Sequence, residues 1–134
     1  MIEKVQRRAT KILPGFKTLC YTDRLKKLSL PTLAYRRIRG DMIETYKIIN
    51  NHYDRVAIPF LIPADSNICT RGHNNKLYKL QCNKNVRKYS FCVRIVNFWN
   101  SLSEEVITAP SINSFKNRLD KYWGIKKYDT TFSY

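Results

Sequence analysis

Acidic side chains are scarce in this chain: ten Asp and Glu stand against 25 Lys and Arg in 134 residues, leaving a net charge of +15. That shortage removes the converging carboxylates with which polymerases and nucleases hold divalent metals. The only adjacent acidic pair, Glu104-Glu105, follows Ser103 at a helix start, where the positive end of the helix dipole accounts for it without chemistry. Glycine is limited to Gly15, Gly40, Gly72 and Gly124, so neither common phosphate-cradling loop is present. Long apolar runs are missing as well. The longest, Val56 to Ala64, is broken by Pro59 and Pro63, and the N-terminal MIEKVQRRATK is charged throughout, so no membrane or secretory segment is read and an intracellular protein is expected. Cys20, Cys69, Cys82 and Cys92 lack paired spacing, which points to reduced thiols. Cys69, His73, Cys82 and Cys92 carry the right ligand types for zinc, but C-x3-H-x8-C-x9-C matches no standard zinc pattern. His52 has no orienting partner nearby in sequence and reads as a surface or capping residue. The chain is therefore read as non-catalytic by itself, with no cofactor.

What is present is enough apolar material for a core: hydrophobic residues make up 43% and aromatics 13%. Ile2, Val5, Ala9, Ile12 and Leu13 recur at helical spacing, with Lys4, Arg7, Arg8 and Lys11 opposite, and Pro14-Gly15 ends that helix. Thr22 as N-cap and Asp23 in the first turn suit the start of a short helix that turns Leu25 and Leu28 inward and stops before Pro31. Thr32 caps the longest predicted helix, to about Asn51, with a stripe of Tyr35, Ile38, Met42, Thr45, Tyr46 and Ile49. Arg37 with Asp41 and Glu44 with Lys47 are at pairing distance, and Gly40 weakens this helix or marks a close crossing. Two further amphipathic helices, from Ser90 through Phe91, Ile95, Phe98, Trp99 and Leu102 and from Ile112 through Phe115, Leu119, Tyr122 and Trp123, flank a short turn capped by Ser103.

The fold expected is mainly α: a small helical domain of about five helices, with a loop-rich middle and at most one short strand or hairpin, the latter at Lys76 to Cys82. Composition marks out a helical part over 1–51, a loop-rich connection over 52–75, and a basic segment with C-terminal helices over 76–134.

Charge is unevenly placed. Between Asp65 and Glu104 there is no acidic residue, while Arg71, Lys76, Lys79, Lys84, Arg87, Lys88 and Arg94 fall inside the gap with Tyr78, Tyr89 and Phe91 among them. Long cations neutralise phosphates and aromatic faces accept unstacked bases, so this composition suits single-stranded or hybrid nucleic acid. The same residues also fit a solvated charged face whose tyrosines are core anchors. On the binding reading, the phosphate clamps are Arg7, Arg8, Lys11, Arg36, Arg37, Arg39, Arg71, Lys76, Lys79, Arg87, Lys88 and Arg94, and the stacking platforms are Tyr78 and Tyr89.

The stretch Asn97 to Trp123, NFWNSLSEEVITAPSINSFKNRLDKYW, resembles the C-terminal end of the reverse-transcriptase polyprotein of non-LTR (LINE-type) retrotransposons, of the jockey-like and chicken-repeat-like kind. The segments Ile2 to Lys11, Tyr21 to Leu25, Leu28 to Arg39 and Gly40 to Lys47 are similar to the part those polyproteins carry downstream of their polymerase core, as are Arg71-Gly72-His73 and Arg87-Lys88. Ser103 stands where the family usually has Pro, and either residue can begin a helical turn. The family's Tyr-x-Asp-Asp motif has no counterpart here. The resemblance implies a non-catalytic, thumb-adjacent segment that holds template RNA or RNA-DNA hybrid and abuts the polymerase core, in a nuclear or cytoplasmic ribonucleoprotein, or a relic of one. The alternative is a helical interaction module that docks on that core.

Overall fold

The computed structural model describes residues 3–53, 61–64 and 72–131. In chain order these form α1 (Glu3–Ile12), α2 (Tyr21–Lys27), α3 (Leu33–Ile49), α4 (Asn85–Lys88), α5 (Phe91–Arg94), α6 (Val96–Asn100), α7 (Glu104–Ile107), α8 (Ile112–Tyr122) and a 3-10 turn, Gly124–Tyr128. The chain is mainly helical, as its periodicity predicts. Among the described residues, β structure is confined to one antiparallel bridge between Pro63 and Leu77. There Ala64 N–H donates to Lys76 O and Tyr78 N–H to Ile62 O, each at 2.8 Å. Two details differ from the expected helices. The run from Phe91 is interrupted at Ile95 into α5 and α6, and α4 forms in a stretch with no apolar periodicity.

Packing divides the chain into two compact units, one of the residues up to Arg39 with those from Trp123 onward, the other running from Gly40 to Tyr122. These are not the boundaries drawn from composition. The border falls inside α3 rather than in the loop-rich stretch, and the residues after α8 belong with the N-terminal ones: Thr32 N–H donates to Lys127 O at 3.1 Å, and the Trp123 ring meets Tyr35 edge-on at 6.3 Å.

In the first unit, polar side chains set the geometry. Glu3, in the first turn of α1, accepts hydrogen bonds from the Tyr21 hydroxyl and from Leu33 and Ala34 N–H. It thus supplies the N-terminus of α3 with a carboxylate, while Thr32 Oγ1 accepts from Tyr35 N–H as the expected cap. Gln6 donates to Pro31 O. These ties turn the Glu3, Gln6 and Thr10 side of α1 inward, and Thr10 is buried. The apolar side predicted to be the core face is therefore outside: Val5 is 69% and Ile12 73% exposed, and Ala9 and Leu13 are exposed too. Ile2, assigned to the same face, lies outside the described residues.

Helix α2 starts at Tyr21, with Cys20 and not the expected Thr22 at the capping position, so Thr22 lies inside the first turn. It ends where Ser29 takes a left-handed φ of 53° and Leu30 N–H bonds Leu25 O. α3 ends alike at Asn51 (φ 56°), with His52 N–H on Lys47 O, so both helices close in the same motif without glycine. Gly40 marks no close crossing, since a Cβ there would meet nothing within 4 Å.

The second unit is apolar inside. Met42, Val93, Ile95, Val96, Trp99, Leu102, Phe115 and Leu119 are buried, Tyr46 stacks on Phe115 at 4.3 Å, and Trp99 lies 6.2 Å from Phe115. The buried Tyr46 hydroxyl donates to Ala109 O, which satisfies it and positions the start of α8. Extended residues are pinned to α6. Asn100 accepts from Leu77 N–H (2.9 Å) and donates to Leu77 O (2.8 Å), acting as a one-residue strand partner, and Trp99 Nε1–H donates to Asn75 O. The two tryptophans, adjacent in the sequence argument, serve different units.

Candidate nucleic-acid interface

In the second unit the basic segment is displayed rather than buried. Side chains alternate along extended backbone, so with Leu77 buried and held by Asn100, Tyr78 must point out, and it is 56% exposed. Lys79 beside it is exposed and donates to Asn97 Oδ1 at 3.1 Å, while Lys76 is half-buried. The single-turn α4 buries none of its residues. It presents Arg87 and Lys88, and then Tyr89, 57% exposed, with the Lys88 ammonium 6.0 Å from its ring centroid. Both candidate stacking rings are thus on the surface, Tyr89 with the Lys88 ammonium beside it.

Arg94 is different. Its Nε donates to Asp41 Oδ2 at 2.9 Å and its Nη2 to Asp41 Oδ1 at 3.0 Å, a two-pronged pair that is largely buried, and its Nη1 donates to Tyr89 O. It therefore braces the end of α4 against α3, through an Asp41 carboxylate 53 residues away in the chain, instead of facing solvent as a phosphate clamp. The helical pair expected of Glu44 and Lys47 forms, with Lys47 Nζ 2.7 Å from Glu44 Oε1. Lys47 and the Tyr53 hydroxyl, both bonded to Glu44, hold its carboxyl below the usual range. Arg71 lies outside the described residues.

In the first unit Arg7, Arg8 and Lys11 are exposed on α1, and Arg36 and Arg37 on α3, with Arg39 half-buried. Two guanidiniums gather round Tyr21: Arg7 at 4.9 Å from its ring centroid and Arg24 at 5.7 Å. Burial, followed by the hydrogen bond to Glu3, raises the Tyr21 phenol far above its ordinary value, so it is a protonated donor. Sequence reasoning missed Arg24. It follows Tyr21 by three residues on α2, one turn on, but nothing in the sequence tells a buried arginine there from the outward Lys26 and Lys27.

Charge separates the units further. The first carries thirteen basic and three acidic residues, a net +10; the second carries twelve and seven, a net +5.

No protein-family model, curated protein or solved structure matches the chain. Among the described residues no three histidine, cysteine or acidic side chains are grouped to hold a metal ion. Of the four zinc-type residues weighed earlier, Cys69 lies outside the described residues. His73 is buried, with a ring nitrogen 3.1 Å from Trp99 O; since a carbonyl can only accept, Nε2 carries the proton and Nδ1 is left without a partner. Burial pushes its pKa down, against the Trp99 hydrogen bond that raises it. Glu104 and Glu105 occupy the first turn of α7, the placement the helix dipole favours. No described helix is long and apolar enough to cross a membrane.

Proposed function

We propose that the chain is a nucleic-acid-binding segment, of the kind found downstream of the polymerase core in non-LTR retrotransposon reverse transcriptases, and that it grips template RNA or RNA-DNA hybrid without catalysing a reaction itself. One observation carries this reading: Tyr78 and Tyr89 are exposed, as are Lys79, Arg87 and Lys88, in one stretch of chain with no acidic residue. Exposed aromatic faces give bases something to stack on, and neighbouring cations neutralise the phosphates between them. Arg7, Arg8, Lys11, Arg36 and Arg37 extend the same electrostatic attraction in the first unit.

A filter-binding titration across salt tests it. With about five phosphates neutralised, log affinity falls against log salt with slope about −4.5 for duplex and about −3.5 for single strands. Replacing Arg87 and Lys88 by Gln flattens the slope by about 1.8 for duplex, and Tyr89→Ala weakens single-strand binding by about 1–3 kcal/mol. Salt-independent or absent binding to RNA and hybrid rejects the reading.

A second reading, a helical module that docks on a polymerase core, is favoured by the outward apolar stripe of α1, where Val5 and Ile12 are bare. Binding to a polymerase-core fragment that survives high salt, and is lost when Val5 and Ile12 become Ser, selects it, because apolar docking is not screened.

A further inference from the structure

Arg24 is only 5% exposed, yet its Nε and Nη1 are buried without a hydrogen-bond partner. Arginine stays charged at any accessible pH, so an unpaired guanidinium in this position calls for an anion. The acidic side chains of its unit accept hydrogen bonds from other groups, Glu3 from the hydroxyl of Tyr21 itself. Glu3 accepts from Tyr21, Leu33 and Ala34; Asp23 accepts from the Cys20 thiol; Asp129 accepts from Thr131 N–H and Oγ1. Meanwhile a second guanidinium, on the exposed Arg7, is held over the same Tyr21 ring. Two like charges around one aromatic side chain, one of them desolvated and short of acceptors, form half of an ion-binding arrangement.

We infer that Arg24 and Arg7, gathered at Tyr21, form a binding site for a phosphoryl oxyanion. A guanidinium offers planar, paired donors that match phosphate oxygens, which is why a buried arginine suits this ligand better than a lysine. Arg24 supplies the fixed donors from below, and Arg7, at the surface of α1, closes on the group from solvent. The +10 charge of this unit favours a polyanion as the source of the phosphate. The inference deepens the nucleic-acid reading and rests on it for that source alone; the site itself stands on the Arg24, Arg7 and Tyr21 geometry.

The test is NMR observation of arginine Nε–Hε resonances in the full chain, titrated with inorganic phosphate and, separately, with acetate at equal ionic strength. The expected result is a saturable shift of the Arg24 resonance with phosphate at a Kd on the order of 1 mM, with acetate giving none. Arg7→Gln, a surface change that leaves the Glu3 ties intact, should weaken that binding at least fivefold. Arg24→Lys should abolish it while circular dichroism stays helical; if that variant unfolds, Arg7→Gln decides alone. No saturable shift, or one unaffected by Arg7→Gln, overturns the inference. So does preferential binding of acetate, which would assign the site to a protein carboxylate. Comparing 5′-phosphorylated with unphosphorylated RNA oligonucleotides tells a terminal phosphate from an internal one: preference for the former places the strand end at Arg24, and equal binding that Arg7→Gln weakens places the backbone there. RNA binding without any Arg24 response leaves the function standing and removes this site; a phosphate response without RNA binding does the reverse.

Discussion

The two units of this chain solve the problem of burial in opposite ways. The Gly40–Tyr122 unit surrounds Trp99 and Phe115 with aliphatic side chains, pins its extended segment through Asn100, and neutralises its largely buried Arg94 with Asp41. The unit formed by the two ends of the chain carries +10 and buries Thr10, Thr32 and Arg24 beside Tyr21, Leu25, Tyr35 and Trp123, while it turns valine and isoleucine outward. The first arrangement draws its stability from apolar area; the second draws orientation from a few hydrogen bonds and leaves a charge unanswered. The difference teaches where to look for ligands, because a unit that hides a cation and shows an apolar stripe is incomplete in a way that a packed aromatic core is not.

The sharpest way to break the comparison is at the aromatic core. Trp99→Ala should cost about 3–5 kcal/mol in urea unfolding, since it removes the ring packed near Phe115 together with the hydrogen bond to Asn75. A loss under about 1 kcal/mol would mean that the second unit is not held by this core. Next comes the ion pair: Asp41→Asn strands the buried side of Arg94 and should cost about 2 kcal/mol. The companion change Arg94→Gln should leave the salt slope of RNA binding unaltered; a flatter slope would return Arg94 to the clamps. For the first unit, Glu3→Gln weakens three hydrogen bonds and the carboxylate at the start of α3, an expected loss of about 1–2 kcal/mol by thermal or urea melting. If that loss exceeds the loss at Trp99, the contrast between the units is reversed. The smallest effect is set by pH. His73 is buried neutral and its pKa lies below the ordinary 6.5, so the unfolded chain binds a proton more readily. Its contribution is fully present above that value and is lost on acidification below it. Stability measured from pH 7 down to 5 should fall less steeply in His73→Gln than in the parent chain.

Much of the helical framework was legible. The Tyr35, Ile38, Met42, Thr45 and Tyr46 part of the α3 stripe is buried as its spacing predicts, with Ile49 at its end half-buried, Thr32 caps α3 through Tyr35 N–H, and the acidic residues of α7 sit in its first turn. Each of these follows from contacts within a turn or from one face of one helix. Of the candidate site, exposure of Tyr78, Lys79, Arg87, Lys88 and Tyr89 agrees with the composition of that stretch. The role of Arg94 does not, because it depends on an aspartate on another helix.

What the sequence determined by itself is the helical class, the Thr32 cap and the excess of positive charge, since periodicity, local hydrogen bonding and composition need no knowledge of neighbours. Only the tertiary structure decided which side of α1 faces inward, which tryptophan serves which unit, and that Arg24 is buried with its donors unpaired. Amphipathic spacing offers two faces, but hydrogen bonds that Glu3 accepts from, and Gln6 donates to, backbone groups 25 to 31 residues away select the polar one, and no local rule anticipates a partner at that distance.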